Sequence, residues 1–227
     1  MTAPAATRRL TTLGPIAQLR AGRLPRRLSQ LYIGLVLYGA SLALMVRGDL
    51  GLSPWDVFHS GLIRHIPLTL GQAVVVMSFV VLLAWIPLRE KPGLGTISNA
   101  IVIGLAADGV LAILDRPDAL YARIGLLVAG VLLNGVATAA YIGSQFGRGP
   151  RDGLMIGLHR VTGRSIRLVR TLMEIAVVLA GLALGGVLGV GTVLYALAIG
   201  PLSQLMLPWF TVALPGEDAT EPEPQRN

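Results

Sequence analysis

The 227-residue sequence contains no cysteine, which excludes a disulfide scaffold and any thiolate metal site. Charge is scarce. Asp, Glu, Lys and Arg make up 14% of the chain, against about 25% in soluble domains. Aromatic residues reach only 5%, and Lys91 is the single lysine among 19 basic residues. In their place stand 53% hydrophobic residues, 28 glycines and a mean hydropathy of +0.68. One soluble core cannot bury this much apolar surface, and a disordered chain is poor in Leu, Val and Ile. The class that remains is a polytopic helical membrane protein, with the lipid bilayer as its surroundings.

The net charge of +7 does not point to nucleic acid. The basic residues lie between apolar runs and form no basic face with interleaved aromatics. The apolar runs fall at about 28–46, 72–88, 94–114, 120–142, 168–186 and 191–213. At 1.5 Å per residue each is enough to cross roughly 30 Å of hydrocarbon. Residues 1–27 read as a basic, disordered cytoplasmic tail and 214–227 as an acidic, disordered one. Membrane units 28–114 and 120–213 lie between them. Six crossings put both termini on one side. The Lys and Arg residues then divide 14 inside to 4 outside, with Arg170 within a crossing. That split places both termini on the cytoplasmic side.

The two units are copies. A shift of 96 residues aligns Arg27–Gly104 with Arg123–Gly200 without a gap, giving 23 identities in 78 positions. The matches include Gly51/Gly147, Pro54/Pro150, Asp56/Asp152, Arg64/Arg160 and Thr96/Thr192. Three crossings per copy, an odd number, turn the second copy upside down. The expected fold is therefore an all-α polytopic membrane protein, with six transmembrane helices as two inverted three-helix repeats. Each repeat carries a short half-helix after its first crossing, an architecture common among secondary transporters.

The short helices are expected at 54–65 and 150–161. Ser53 can cap the first, Pro54 suits its first turn, and Asp56 can reach back to the cap. In the second copy Gly149, Pro150 and Asp152 take these places. Gly51, Gly147, Pro54, Pro150, Arg64 and Arg160 are the structural frame of the motif. Three readings stay open. The helices are re-entrant with their N-termini near the midplane, or they lie in the interface, or they are short tilted crossings. Asp56 and Asp152 are candidate substrate-binding residues; their bland role is capping alone.

Charges inside crossings need partners or water. Arg170 and Glu174, four residues apart on one helix face, are candidates for coupling or gating, against the plain role of an ion pair. Asp108 joins them, or sits near the outer headgroups. Asn99, Asn134 and Tyr195 are candidate cavity-lining, substrate-binding residues. No nucleophile elbow, zinc-binding His-Glu-x-x-His or phosphate loop occurs. The expectation is no enzyme, no cofactor, no metal and no catalytic residue.

The segments Gly-Leu-Ser-Pro-Trp-Asp56, Gly-Arg-Gly-Pro-Arg-Asp152-Gly-Leu-Met, Val-Arg170-Thr-Leu-Met-Glu174 and Gly-Val-Gly-Thr192 resemble the YczE-like family of bacterial integral membrane proteins, grouped with YyaS and YitT. The resemblance covers about residues 28–210. It implies a protein of the cytoplasmic membrane and implies no substrate.

The expected function is a transporter or permease for a small polar or anionic solute. The alternative is a membrane accessory protein that docks a partner enzyme or complex on its basic loop 147–167. The lack of native cysteine makes the topology testable. Single cysteines replacing Thr69 and Ser165 are expected to differ, with only position 69 labelled by an impermeant thiol reagent in intact cells. Equal protection of both until lysis contradicts the inverted arrangement.

Overall fold

The structure is a computed structural model that describes residues 13–214. The tail segments 1–12 and 215–227 lie outside the described residues. Those described are all-α, with no strand. The helices are α1 (Pro15–Arg20), α2 (Leu24–Gly48), α3 (Pro54–Leu62), α4 (Leu70–Leu88), α5 (Leu94–Leu111), α6 (Leu120–Gly143), α7 (Pro150–Thr162), α8 (Ile166–Ala183) and α9 (Val190–Phe210).

Five of these, α2, α4, α5, α6 and α9, are long and apolar enough to cross a membrane. The expected fifth of six crossings is α8. It has 18 residues but carries Arg167, Arg170 and Glu174, so five apolar spans and one charged helix stand where six spans were expected. The outer surface is apolar: Ile86 is 73% exposed, Leu197 72% and Trp209 73%. Lipid tolerates such a surface, whereas water does not.

Helix starts keep a constant spacing. Leu24 and Leu120, Pro54 and Pro150, Leu70 and Ile166, and Leu94 and Val190 are each 96 residues apart. At the centre α2 and α6 pack against each other and run antiparallel. Arg27, at the start of α2, donates from Nε to Ser144 O (2.9 Å) and from Nη2 to Gln145 O (2.8 Å), just past the end of α6. Arg123, at the start of α6, donates from Nε to Gly48 O (2.9 Å) and from Nη2 to Asp49 O, at the end of α2. Each arginine thus satisfies carbonyls that a helix C-terminus leaves unpaired. Gly34 and Gly130 let the backbones close in. A Cβ on Gly34 would lie 2.8 Å from Tyr141 N, and one on Gly130 3.0 Å from Ser41 O.

The N-terminal segment departs from the tail expected over residues 1–27. Residues 15–20 form α1, and α2 begins at Leu24, four residues before the expected crossing. The cause is Arg27, which is wholly buried. Besides the two α6 carbonyls it bonds Gln18 O of α1 at 2.7 Å, and its guanidinium lies 4.2 Å from the Phe146 ring centroid.

The short helices are α3, with nine residues, and α7, with thirteen. At 1.5 Å per residue they reach about 14 and 20 Å, too little to cross. Neither is among the helices long and apolar enough to cross. Each is held by the other half: α3 packs on α8, and α7 on α4. The lead-in segments are pinned in the same crossed way. Gly95 N at the start of α5 donates to Phe146 O (2.9 Å), and Thr96 Oγ1 donates to Arg148 O (2.7 Å). Gly191 N at the start of α9 donates to Leu50 O (2.7 Å), and Thr192 Oγ1 accepts from Leu52 N (3.1 Å). The Gly-x-Gly-Thr segments therefore brace the lead-ins as well as allowing close packing.

The halves differ in the packing of α4 and α8. α4 packs tightly on α5, where Gly71 and Gly104 meet backbone to backbone; a Cβ on Gly104 would lie 2.3 Å from Gly71 O. α8 and α9 barely touch. Gly200, the counterpart of Gly104, has open space around it, while the counterpart of Gly71 is Arg167. Replacing Gly104 with Leu is expected to cost about 1–3 kcal/mol by overpacking, seen as a lower melting temperature in detergent. Gly200→Leu is expected to leave melting unchanged. Equal sensitivity at both positions contradicts the open α8–α9 gap.

Candidate functional site

The first turns of α3 and α7 converge on one cavity of about 290 Å³. Ser53, Pro54 and Trp55 line it from α3, Arg151, Asp152 and Met155 from α7, and Tyr38 and Tyr141 from α2 and α6. The remaining wall comes from Arg170 and Glu174 of α8 and Tyr195, Gly200, Ser203 and Gln204 of α9. Trp55 and Arg151 occupy the same position in the two copies, and they stack on each other, with the guanidinium 4.8 Å from the ring centroid. The first turns of α3 and α7 therefore meet at this site.

Local chemistry fixes both short helices. Ser53 caps α3, accepting from Asp56 N at 3.3 Å, and Pro54 follows at the first position. Asp56 is buried. Its carboxylate accepts the Ser53 hydroxyl and faces His59 Nδ1 at 3.0 Å. It holds the turn from behind and is not part of the cavity wall. Asp152 of α7 does face the cavity. Gly149 supplies no side-chain cap, and Asp152 Oδ2 instead accepts the Tyr141 hydroxyl at 2.9 Å. Equivalent aspartates thus hold different positions, one a capping residue and one a wall residue.

A second, smaller cavity of about 60 Å³ lies on the other side of Tyr38 and Tyr141. Val74, Ser78, Asn99 and Ile103 line it, with Gly149 to Asp152. The residues 96 positions on, Arg170, Glu174, Tyr195 and Ile199, line the large cavity. The two spaces are lined at matching positions, with Ser78 and Asn99 as the polar groups of the smaller and Arg170 and Glu174 as the charges of the larger. Arg170 Nε donates to Glu174 Oε1 at 2.9 Å, and the two side chains are 47% and 33% exposed.

The other expected residues fall as follows. Asn134 is buried, donating to Ser41 Oγ (2.8 Å) and accepting from Tyr195 OH (3.0 Å), which ties α2, α6 and α9 behind the wall. Asp108 lies away from the cavity. Its carboxylate accepts Gly71 N (2.8 Å) and the Thr69 hydroxyl, holding the start of α4 against the end of α5. Arg160 pairs with Glu90 at 3.0 Å and donates to Leu88 O at the end of α4, while Arg64 lies against Gly185 beyond α8. Gly51 and Gly147 take φ of +122° and +104°, a region that favours glycine, in the lead-ins to α3 and α7. The cavity residues that sequence reasoning missed are Trp55, Arg151 and Tyr141. The usable signal was the unlike pair Trp55/Arg151, directly before the shared aspartate.

Residues 25–208 match a family of unknown function, DUF6198. The chain belongs to this family. It is 40% identical over 182 residues to an uncharacterized protein of Haemophilus influenzae, covering 80% of this chain and 84% of that one. It is 32% identical over 179 residues to the uncharacterized membrane protein YczE of Bacillus subtilis, covering 78% and 83%. It is 28% identical over 180 residues to the uncharacterized protein YyaS of the same organism, covering 78% and 90%. The YczE-like resemblance therefore holds. No solved structure matches the chain. With five apolar spans, the DUF6198 chain is a multi-pass integral membrane protein.

Tyr141→Phe removes the hydroxyl that Asp152 accepts. A hydrogen bond to a charged group is worth about 1.5–3 kcal/mol, so the melting temperature of the purified protein is expected to fall. Tyr121→Phe, at an 81% exposed position, is expected to leave it unchanged. Equal melting of the two variants contradicts the Tyr141–Asp152 bond.

Proposed function

We propose that this DUF6198 protein is a permease of the bacterial cytoplasmic membrane, built as two inverted repeats with both termini cytoplasmic. The observation that carries the reading is the convergence of the first turns of α3 and α7 on a charged cavity at the meeting of the two halves. Antiparallel α2 and α6, the constant helix spacing and the crossed bracing of the short helices support the inversion. Half-helices whose N-termini meet at a central site are a recurring device of secondary transporters. The difference between the open α8–α9 side and the closed α4–α5 side supports alternation, in which the halves exchange packing. Arg170 and Glu174 on the open side are the coupling or gating pair. No catalytic step is assigned to the cavity.

The accessory-protein reading has less support. Of the loop 147–167 arginines, Arg151 faces the cavity and Arg160 pairs within the chain, so that surface is partly spent internally.

The test is uptake of a panel of radiolabelled amino acids, organophosphates and quaternary amines into proteoliposomes. At least one is expected to accumulate above protein-free controls. Asp152→Asn and Glu174→Gln are expected to lower that uptake about tenfold or more, in line with loss of a buried charged contact. The proposal fails if none of the panel moves, or if both variants transport as the wild type does.

A further inference from the structure

The cavity between α3 and α7 holds two opposite charges that are not spent on each other. Arg151 makes no hydrogen bond and no ion pair among the described residues; its guanidinium stacks on the Trp55 ring and lies within electrostatic reach of Asp56, whose carboxylate is already bonded to Ser53 and His59. Asp152, its neighbour in sequence, bonds Tyr141 through Oδ2 and has no partner at Oδ1. The other two charges in the wall, Arg170 and Glu174, already neutralise one another. An anionic ligand would satisfy Arg151 and set a second negative charge against Asp152, which has no ion-pair partner. A cationic ligand would do the reverse at Arg151. Both arrangements place a like charge beside a wall charge.

We propose that the cavity binds a zwitterion, resting on the permease reading for its direction of travel but not for its chemistry. The ligand's anionic group lies on the Arg151 guanidinium, which offers forked donors suited to carboxylate or phosphate. Its ammonium lies on Asp152 among aromatic faces. The chain has five Tyr and three Trp, and Tyr38, Tyr141, Tyr195 and Trp55 all line this one cavity. Concentrating the scarce aromatics beside a carboxylate with one oxygen unbonded is the chemistry that holds organic ammonium groups. A volume near 290 Å³ suits a small molecule of this kind or the headgroup of a lipid. The gap between α8 and α9, lined by Arg170, Ser203 and Gln204, gives a lipid headgroup a sideways route. Its closed counterpart between α4 and α5 gives none.

The experiment is calorimetric titration of the purified full chain in detergent with phosphoethanolamine, ethanolamine and glycerol phosphate. A second arm uses native mass spectrometry after exposure to phosphatidylethanolamine or phosphatidylglycerol. The expected result is that phosphoethanolamine binds about tenfold or more tightly than either partial ligand, or that phosphatidylethanolamine is retained over phosphatidylglycerol. Binding in the first arm identifies a free solute, and binding in the second alone a lipid headgroup. Asp152→Asn and Arg151→Gln are expected to erase the preference, while Arg151→Lys, which keeps the charge and guards against a folding artefact, retains it. The proposal is overturned if glycerol phosphate or ethanolamine binds as tightly as phosphoethanolamine and neither lipid is preferred. It is equally overturned if nothing binds, or if the preference survives in Asp152→Asn and Arg151→Gln. Zwitterion binding without uptake into liposomes would retain this inference and remove the permease. Uptake of a solute carrying only one charge would do the opposite.

Discussion

The antiparallel pairing of α2 with α6 is the constraint on which the other contacts depend. Two glycine faces bring the backbones together, and Arg27 and Arg123 lock the ends by bonding the carbonyls that close the opposite helix. Arg27 is completely buried, with carbonyl oxygens and the Phe146 face as its partners. An unpaired buried polar group costs about 1–3 kcal/mol, and in lipid no water relieves it. The same bonds fix which end of α2 lies beside which end of α6. Everything hung on the two helices inherits that opposition.

One inherited consequence is the crossed support of the short helices. Because α3 leans on α8 and α7 on α4, neither half can form its short-helix seat alone. The lead-in before each short helix is tied to the Gly-x-Gly-Thr start of the other half's last helix. This interlock brings positions 55 and 151 into contact. Positions 96 residues apart line two different spaces. Val74 and Ser78 line the smaller cavity, whereas Arg170 and Glu174 line the larger one. Arg167 in place of Gly71 denies α8 the backbone approach that α4 makes to α5. A charged, accessible site thus arises from an otherwise matched frame by changes at a few helix positions.

Much of the frame was legible in the sequence. The 96-residue shift anticipated the spacing of every helix pair, and Pro54, Pro150 and the aspartates marked the short helices. Less visible was what depends on distant neighbours. Arg27 sits in a basic, proline-containing stretch and reads as tail; its burial depends on carbonyls more than a hundred residues away. Asp108 reads as an intramembrane charge, yet its partners are Thr69 and Gly71 at a helix start. Asp56 and Asp152 look equivalent, but His59 and Ser53 draw one inward while Tyr141 holds the other at the wall. Hydrophobic periodicity identifies faces and spans; it does not say which face meets which, and the stack of Trp55 on Arg151 follows only from that.

The most direct test of the central claim, that the two short helices meet at one site, is cross-linking of a Trp55→Cys/Arg151→Cys chain in native membranes with a short bismaleimide. The chain has no other cysteine, so any intramolecular link reports this pair. Efficient linking, blocked by prior treatment with a monofunctional maleimide, is the expected result. Had the short helices lain in opposite interfaces, the positions would be about 30 Å apart; failure to link while each single cysteine reacts would contradict the shared site.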